Sequence, residues 1–412
     1  MLNEKMQPEI NIGLVGHVDH GKTTLTEKLS GKWTDTHSEE LKRGITIRLG
    51  YADTVFRKCP KCKGTDAYTT SDKCPKCKAK TQIQRKVSFV DAPGHESLMA
   101  TMLAGTTIMD GALLLIAANE PCPQPQTREH LMALKIIGIK NIVVVQNKID
   151  LVNEDETIKN FEQIRKFLKG TDYEAAPIIP VSAQLGINIS AIIESIEKYI
   201  PTPKRDRNAS PIMLVARSFD VNKPGQNIAE LKGGVLGGSL VQGTIRLNQE
   251  IELKPGHIYQ EANKRVWKCI RTTVKGLMTG GQSVNEVGPG GSVGVLTSLD
   301  PAIVKSDSLT GHIVGEVGKL PPVWDNLNLS VSLLERVVGA KEELKVEPIK
   351  MNEILMLNVN SAATVGHVTK LSKGMIECRL KFPICAESEA RVTLSRRIGT
   401  RFRLIGYGII KV

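Results

Sequence analysis

Aromatic residues are scarce in this chain, since Phe, Trp and Tyr together make up only 4% of its 412 residues. That scarcity argues against a nucleic-acid platform built from many stacking rings. The sequence also lacks an uninterrupted apolar run of the roughly 18 residues needed to span a membrane. Its first five residues lack the apolar core of a signal peptide. We therefore expect a cytoplasmic protein with no membrane partner.

The eight cysteines need an explanation other than a disulfide framework if the protein is cytosolic. Two Cys-x-x-Cys hooks are separated by 11 residues and supply the predicted zinc ligands Cys59, Cys62, Cys74 and Cys77. Four thiolates at this spacing are typical of a closed tetrahedral zinc site. The surrounding segment, about 57–85, is polar and lysine-rich, so we expect metal binding to stabilise it directly. Two redox dithiols, or a degenerate knuckle, are the alternatives. The other four cysteines, Cys122, Cys269, Cys378 and Cys385, are interpreted as packing or incidental residues.

A phosphate-binding loop is predicted at residues 16–23, which follow the pattern Gly-x4-Gly-Lys-Thr. An apolar strand (10–15) precedes the loop and a helix-compatible run (24–29) follows it, which is the context that this pattern requires. Lys22 would reach the terminal phosphates and the Thr23 hydroxyl would ligate magnesium. The His17 and His20 rings are expected to pack or hydrogen-bond locally. The predicted contact set in this loop is Asp19, His20, Gly21, Lys22, Thr23 and Thr24.

Asp91 and Gly94 end a second apolar strand, in an Asp-x-x-Gly pattern that is weak on its own. A carboxylate at Asp91 can hold magnesium through water, and the Gly94 N–H can sense a third phosphate.

The base of the nucleotide is predicted from two further motifs. In Asn147-Lys148-Ile149-Asp150, Asp150 can accept hydrogen bonds from guanine N1–H and the 2-amino group, a donor pair that adenine lacks. Lys148 can lie over the base, and Asn147 can tie loops together. A backbone contact to the base edge is expected from Ser182, Ala183 and Gln184. The order of these motifs at strand ends predicts a site for GTP and GDP.

The fold class follows from the alternation of elements. Strands are predicted at 10–15, 87–91, 111–118, 142–146 and 178–181, and helices at 23–30, 126–137, 157–169 and 188–199. This alternation indicates an α/β P-loop domain with a parallel-rich sheet that helices cover on both faces. After a Pro-rich basic linker, short strands alternate with glycine turns, which is typical of β-barrels. The predicted domains are 1–207, with the knuckle inserted, then barrels at 208–323 and 324–412.

The net charge of +12 and a pI of about 9.2 favour a polyanionic partner, with nucleic acid first, although a lysine-rich soluble surface gives the same composition. Five arginines lie within 13 residues of the last barrel and either meet phosphates or form a solvated, internally paired face: Arg391, Arg396, Arg397, Arg401 and Arg403.

The motif order followed by two barrels resembles the translational GTPases of the elongation-factor-Tu type. More specifically, the sequence resembles the gamma-subunit family of archaeal and eukaryotic translation initiation factor two. The segments that carry this resemblance are 16–24, 33–46, the two-hook insertion, 121–130, 217–225, 334–339 and 404–408. They are spread over essentially the whole chain.

The resemblance implies a GTPase that carries methionyl initiator tRNA to the small ribosomal subunit with mRNA. It implies a heterotrimer in which the alpha subunit docks on the first barrel and a beta-subunit helix docks on the nucleotide domain. The switch segment would be 33–47, with Thr46 reaching magnesium and His95 positioning the attacking water. The same resemblance implies a second magnesium held by Asp19 and Gly44. No arginine finger is recognisable, so we expect slow intrinsic hydrolysis.

Two alternatives remain at this point. An elongation-type carrier of selenocysteyl-tRNA would share the phosphate loop and the two barrels, although the cysteine insertion and the lack of a further domain after Val412 argue against it. A non-hydrolysing, nucleotide-stabilised scaffold for proteins and RNA would share the same motifs, although Lys22, Thr46 and His95 favour turnover.

Overall fold

The structure is a computed structural model that describes residues 7–35, 40, 46, 48–95, 98–223, 225–261, 264–337 and 344–412. The described chain divides into two compact units, with the boundary after Pro203. The first unit holds the P-loop domain and the second holds both barrels, and each is described by itself.

A seven-stranded sheet forms the centre of the first unit, in the order β3-β2-β4-β1-β5-β6-β7. Its strands are β1 (Ile10–Gly16), β2 (Gly50–Lys58), β3 (Tyr68–Thr69), β4 (Gln82–Asp91), β5 (Gly111–Ala117), β6 (Ile142–Asn147) and β7 (Ile178–Pro180). Five strands are parallel, but β2 pairs antiparallel with both β4 and β3. The sheet is therefore parallel-rich, as predicted, and its antiparallel part arises because β2 and β4 form a hairpin that carries the cysteine insertion at its tip.

Apolar side chains explain why these strands lie at the centre. Every residue of β1, β5 and β6 is buried, as expected for parallel strands that are covered on both faces. Among the described residues, the main helices of this unit are α1 (Lys22–Ser30), α2 (Met99–Thr106), α3 (Pro125–Ile137), α4 (Glu154–Leu168) and α5 (Ile189–Tyr199). A capping box between Asn153 and Glu156 starts α4, and Gly138, in the left-handed conformation, ends α3.

Two closed barrels make up the second unit, which confirms the predicted fold class. The first closes six strands, with a seventh at its edge, and consists of β8 (Ile212–Phe219), β9 (Val235–Gln242), β11 (Glu250–Glu261), β12 (Lys264–Thr279), β13 (Gln282–Val284), β15 (Val293–Thr297) and β16 (Ile313–Gly315). A short helix, α6 (Pro301–Val304), precedes β16, and β10 (Ile245–Arg246) pairs separately with β14 (Glu286–Val287). The second barrel consists of β17 (Val323–Leu333), β18 (Ile354–Val359), β19 (Ala362–Ser372), β20 (Met375–Cys385), β21 (Arg391–Ile398) and β22 (Arg401–Lys411).

The helices of the described chain are short, and none of them is long and apolar enough to cross a membrane.

Candidate nucleotide site and metal centre

The phosphate loop links β1 to α1 and depends on two glycines. Gly16 and Gly21 have φ angles of 144° and 87°. A Cβ atom on Gly16 would lie 2.4 Å from the Leu115 carbonyl oxygen, and one on Gly21 would lie 2.3 Å from Asn147 Nδ2. Only glycine fits at both positions, so the backbone can curve closely and leave its N–H groups directed at an anion.

Lys22 lies inside this loop and is almost completely buried. Its Nζ donates hydrogen bonds to the carbonyl oxygens of Gly16 (3.1 Å) and His17 (2.7 Å). Burial lowers the pKa of Lys22 to about 8, and the carboxylates of Asp91 and Asp19 oppose that shift. The ammonium group is thus held among backbone acceptors at the place where a phosphate would compensate its charge.

Gly94 closes the same region from the end of β4. A Cβ atom there would lie 2.5 Å from Lys22 Nζ and 2.9 Å from the Gly16 carbonyl oxygen. The close approach of Gly94 to the loop places its backbone beside the lysine that was predicted to contact the terminal phosphates.

Two buried histidines support the back of the loop. The Nδ1 atom of His20 is 3.0 Å from the Leu115 carbonyl oxygen, and Nε2 is 3.3 Å from Glu120 Oε2. His130, on α3, accepts a hydrogen bond at Nδ1 from the Gly16 amide (2.8 Å). Burial lowers the pKa of His20 to about 4 and that of His130 to about 3. The ring of His20 therefore anchors the loop to β5, and it does not line the cavity described below.

A cluster of hydroxyl and carboxylate oxygens lies at the start of α1. Thr23 Oγ1 is 2.8 Å from Asp91 Oδ2, 3.2 Å from Thr46 Oγ1 and 3.4 Å from Asp35 Oδ2. Thr34 also donates to Asp91 Oδ2, at 2.8 Å. Burial raises the pKa of Asp91 to about 6, and it also raises the pKa of Asp35.

One oxygen of each carboxylate in this cluster, Asp35 Oδ1 and Asp91 Oδ1, is buried without a hydrogen-bond partner in the described chain. Oxygen ligands of this kind are the ones that magnesium prefers, so the residues present fit the ion. Of the two residues suggested for a second magnesium, Asp19 is exposed and has a φ of 60°, while Gly44 lies outside the described residues. Asp35 was not predicted as a site residue, because no motif spacing marks it within the switch segment.

A cavity of about 370 Å³ opens over this cluster. His95 lies on its wall, half-buried, as does the largely exposed indole of Trp33. The cavity is lined by Val18, Asp19, Gly21, Lys22, Thr23, Thr24, Trp33, Asp35, Thr46, Gly94, His95 and Lys148. Residues from the phosphate loop, the switch segment, the Asp-x-x-Gly turn and the base-recognition motif therefore face one space.

Asn147 joins the phosphate loop to the loops that were predicted to bind the base. Its buried Nδ2 donates to the His20 carbonyl oxygen (2.9 Å), and its Oδ1 accepts from the Ala183 amide (3.0 Å). Ser182 is buried and its hydroxyl accepts from the Leu185 amide, so it shapes the turn that follows β7.

Two other residues predicted near the base, Asp150 and Gln184, are exposed. Lys148 has a φ of 64°, which directs the chain into the turn that carries Asp150. Lys148 lines the cavity over the phosphate loop, and Asp150 follows it two residues later, after the end of β6.

The two cysteine hooks meet at the tip of the β2–β4 hairpin. All four Sγ atoms lie within 4.8 Å of one another, with Cys59–Cys77 at 3.4 Å and Cys62–Cys74 at 3.7 Å. Tetrahedral coordination with Zn–S bonds of about 2.3 Å places sulfurs about 3.8 Å apart. The donor set therefore fits a single zinc ion.

Two of the arginines of the last barrel that were predicted to meet phosphates have partners within the barrel. Arg396 binds Glu353 through Nε and Nη2, and it also donates to the carbonyl oxygens of Glu347 and Pro348. Arg391 stacks 5.0 Å from the Tyr407 ring. Arg396 is an internally paired residue, which favours the alternative of a paired face at this position.

Known proteins similar to the chain cover both units. Residues 7–202 match the elongation factor Tu GTP binding domain, and residues 325–410 match the initiation factor eIF2 gamma C-terminal domain. The translation initiation factor 2 gamma subunit of Methanothermobacter thermautotrophicus is 60% identical over 99% of this chain and 100% of its own length. The same subunit of Pyrococcus horikoshii is 60% identical over 98% of both chains, and that of Archaeoglobus fulgidus is 57% identical over 100% of this chain and 96% of its own.

Solved structures of translation elongation factors share the fold at lower identity. A bacterial selenocysteine-specific elongation factor superposes with a TM-score of 0.73 at 24% identity, and the match covers 98% of this chain but only 58% of that chain. The factor from Methanococcus maripaludis, bound to a GTP analogue, gives a TM-score of 0.70 at 20% identity, over 98% of this chain and 79% of that chain.

The P-loop domain supports the binding of GTP and GDP, and the full-length identity assigns the reaction to translation initiation. The chain belongs to the family of translation initiation factor 2 gamma subunits and is a GTPase of translation initiation.

Proposed function

We propose that the chain carries methionyl initiator tRNA to the small ribosomal subunit in its GTP-bound state and acts as the core of a heterotrimer with alpha and beta subunits. One observation carries the proposal beyond family membership. Asp35 and Thr46, from the switch segment, reach the Thr23–Asp91 cluster at the phosphate loop. A bound third phosphate can therefore act on the switch segment directly, which is how nucleotide state controls a tRNA-binding surface in a switch GTPase.

Magnesium is proposed to bind in the oxygen cluster, where it would neutralise charge on the nucleotide phosphates. Thr23 and Thr46 would supply hydroxyl ligands, and Asp91 and Asp35 would hold the surrounding water through their unpaired oxygens. Asp19 is retained as a weaker candidate because it faces the same cavity. Replacing Asp35 with Asn tests this role: we expect the magnesium concentration needed for half-maximal GTP binding to rise at least tenfold. An unchanged requirement would remove Asp35 from the site.

His95 is proposed to orient the attacking water. The support is its place on the cavity wall together with Gly94 and Lys22, because a side chain there lies near the end of the phosphate chain. An imidazole can orient water without being a strong base. The test is single-turnover hydrolysis by His95→Ala, with GTP affinity measured in parallel. We expect the rate to fall at least a hundredfold with little change in affinity, whereas equal losses in both would indicate a binding role.

Asp150 is proposed to read guanine, with Lys148 over the base and the backbone of Ser182–Gln184 at its edge. The Asn147 bridge supports this assignment because it fixes the recognition turn relative to the phosphate loop. Inosine nucleotides lack the 2-amino donor, so wild-type protein should prefer GTP to ITP. We expect Asp150→Ala to abolish that preference; a preference that survives would place guanine recognition elsewhere.

Zinc is proposed to hold the cysteine insertion, with Cys59, Cys62, Cys74 and Cys77 as its four ligands. The convergence of four sulfurs at near-tetrahedral spacing supports this proposal. We expect one zinc per chain by elemental analysis. Chelation should increase hydrogen exchange in residues 59–81 while leaving exchange in β5 and β6 unchanged. Retained protection of the insertion after complete zinc loss would contradict the proposal.

The carrier proposal itself is tested by tRNA binding. The full chain, alone and with its alpha partner, is titrated with methionyl initiator tRNA and methionyl elongator tRNA, each in GDP and in a non-hydrolysable GTP analogue. We expect binding that prefers the initiator and requires the GTP analogue. Equal binding of the two tRNAs would favour an elongation-type carrier, and no binding in any state would favour a scaffold.

A further inference from the structure

The cysteine insertion concentrates positive charge more than any motif of the nucleotide site requires. We define the lysine knuckle as residues 57–81. This segment carries eight basic and two acidic side chains, a formal charge of +6, which is half of the net +12 of the whole chain. Even a bound zinc ion with four thiolates, which together carry a charge of −2, leaves the knuckle at +4. The positive charge is therefore concentrated in one segment, and nucleotide binding does not account for it.

Both acidic residues of the lysine knuckle form ion pairs within it. Asp66 pairs with Lys76, and Asp72 Oδ1 is 2.6 Å from Arg57 Nη2. Lys58 lies over the Tyr68 ring, 4.9 Å from its centroid. The remaining lysines are all exposed, and none has an acidic partner in the described chain: Lys61, Lys63, Lys73, Lys78 and Lys80.

Two of these lysines are held close together. Lys73 and Lys80 face each other across an antiparallel bridge. Like charges directly opposite each other in such a pair destabilise it, and a polyanion would remove that cost. Backbone bonds from Cys59 to Ala67 (2.7 Å) and from Cys74 to Ala79 (2.9 Å) hold the loops that carry the lysines.

The knuckle stands at the edge of the sheet opposite the nucleotide site. It joins the last residue of β2 to the first residue of β4, whereas Asp91, at the other end of β4, reaches the phosphate loop. Ten residues of strand separate the two places, which corresponds to about 30 Å. A partner of the knuckle can therefore bind in both nucleotide states, unlike the tRNA cargo proposed above.

We infer that the lysine knuckle binds the sugar–phosphate backbone of a double-helical segment of small-subunit ribosomal RNA. Lysine ammonium groups are point charges suited to phosphates. The single ring of the knuckle, Tyr68, is half-buried and covered by Lys58, so it offers no platform for unpaired bases. The choice of ribosomal RNA rests on the proposed initiation function and on the separation from the nucleotide site.

The test compares two triple variants of the full chain with the same net charge. One replaces Lys61, Lys63 and Lys78 with Ala, and the control replaces Lys159, Lys166 and Lys169, which are exposed on and just after α4. The probes are a 20-base-pair RNA duplex and naked small-subunit ribosomal RNA, each titrated over a range of salt. Zinc content is measured for every variant, so that a knuckle that has lost its fold is recognised.

We expect the knuckle triple to weaken binding of both RNAs at least tenfold at 100 mM salt. The plot of log K against log salt has a negative slope, and the magnitude of that slope should decrease by about 2 to 3, about one unit for each lost phosphate contact. The control should change affinity less than twofold, and the loss should be equal with GDP and with a GTP analogue.

Three results would overturn the inference. They are equal losses in the two triples, a loss confined to the GTP state, or unchanged RNA binding together with weakened binding of a partner protein. Initiator tRNA binding by the wild-type chain, measured separately, distinguishes failure of this inference from failure of the carrier proposal.

Discussion

Protonation of His130 should destabilise the P-loop unit in mildly acidic solution. Its Nδ1 accepts a hydrogen bond from the Gly16 amide, so a proton on that atom removes the bond, and burial holds the folded-state pKa at about 3. The unfolded chain has a histidine pKa of about 6.5. Because the folded value is the lower one, the contribution is complete above pH 6.5 and is lost as the pH falls toward 3. At pH 5 the loss amounts to about 2 kcal/mol.

The contribution of His130 is isolated by comparing the pH-dependent loss of stability of the wild type with that of a variant. His130→Asn keeps an acceptor near the position of Nδ1 but cannot take up a proton. Between pH 7.5 and 5.0 the wild type should lose about 2 kcal/mol more of its free energy of unfolding than the variant, because the other titrating groups cancel. Unfolding by denaturant is monitored through hydrogen exchange at the Gly16 amide, because that amide lies in the same unit as His130.

The exposed His367→Asn in the second barrel is the matched control, and it should follow the wild type at both pH values. A double difference below about 0.5 kcal/mol for His130→Asn would refute the reasoning, because a buried acceptor with so low a pKa must contribute at least that much.

Three further substitutions test other parts of the first unit. Asn147→Ala leaves the His20 carbonyl and the Ala183 amide without their partner, and each unpaired group costs about 1–3 kcal/mol. Release of a fluorescent GDP, measured by stopped flow, should therefore accelerate at least tenfold. An unchanged rate would mean that the Asn147 side chain does not hold the site together. Gly94→Ala places a methyl group 2.5 Å from Lys22 Nζ, so calorimetry should show at least tenfold weaker GTP binding, and wild-type affinity would show that the loop adapts without cost. Arg85→Met removes the partner of Glu197 and two carbonyl contacts at the end of α5, so urea denaturation should show a loss of about 3–5 kcal/mol; a loss below 1 kcal/mol would contradict a structural role for this ion pair.

The sequence predicted best what is local. The phosphate loop, the Asp-x-x-Gly turn and the Asn147 motif each follow an apolar strand, and such strands are buried in parallel sheets, so the motifs could be assigned to one edge. The missed elements have physical reasons. The run Met99–Thr106 that forms α2 contains no charged residue and so shows no polar face, and the alternating residues of β2 continue directly into the cysteine hooks.

Contacts between distant residues were beyond prediction. His20 was expected to pack locally, yet its carboxylate contact is Glu120, 100 residues away. Asp35 joins the oxygen cluster around Thr23 because the chain between α1 and β2 returns to the phosphate loop, and nothing in the sequence spacing indicates that return. Arg396 belongs to an arginine cluster in the sequence, but Glu353 removes it from the set of exposed charges.

Strand β4 links the two regions of the first unit for which functions are proposed, the nucleotide site and the lysine knuckle. Its carboxyl end supplies Asp91 to the nucleotide cluster and its amino end supports the lysine knuckle, while Arg85 between them binds the end of α5 through Glu197 and two backbone carbonyls. An internally bonded strand of this kind transmits little change along its length, since every residue from Arg85 to Asp91 is buried. The knuckle is for this reason suited to a constant attachment. The described residues of the switch segment reach the site through side-chain contacts to Thr23 and Asp91, which suits them to respond to the nucleotide.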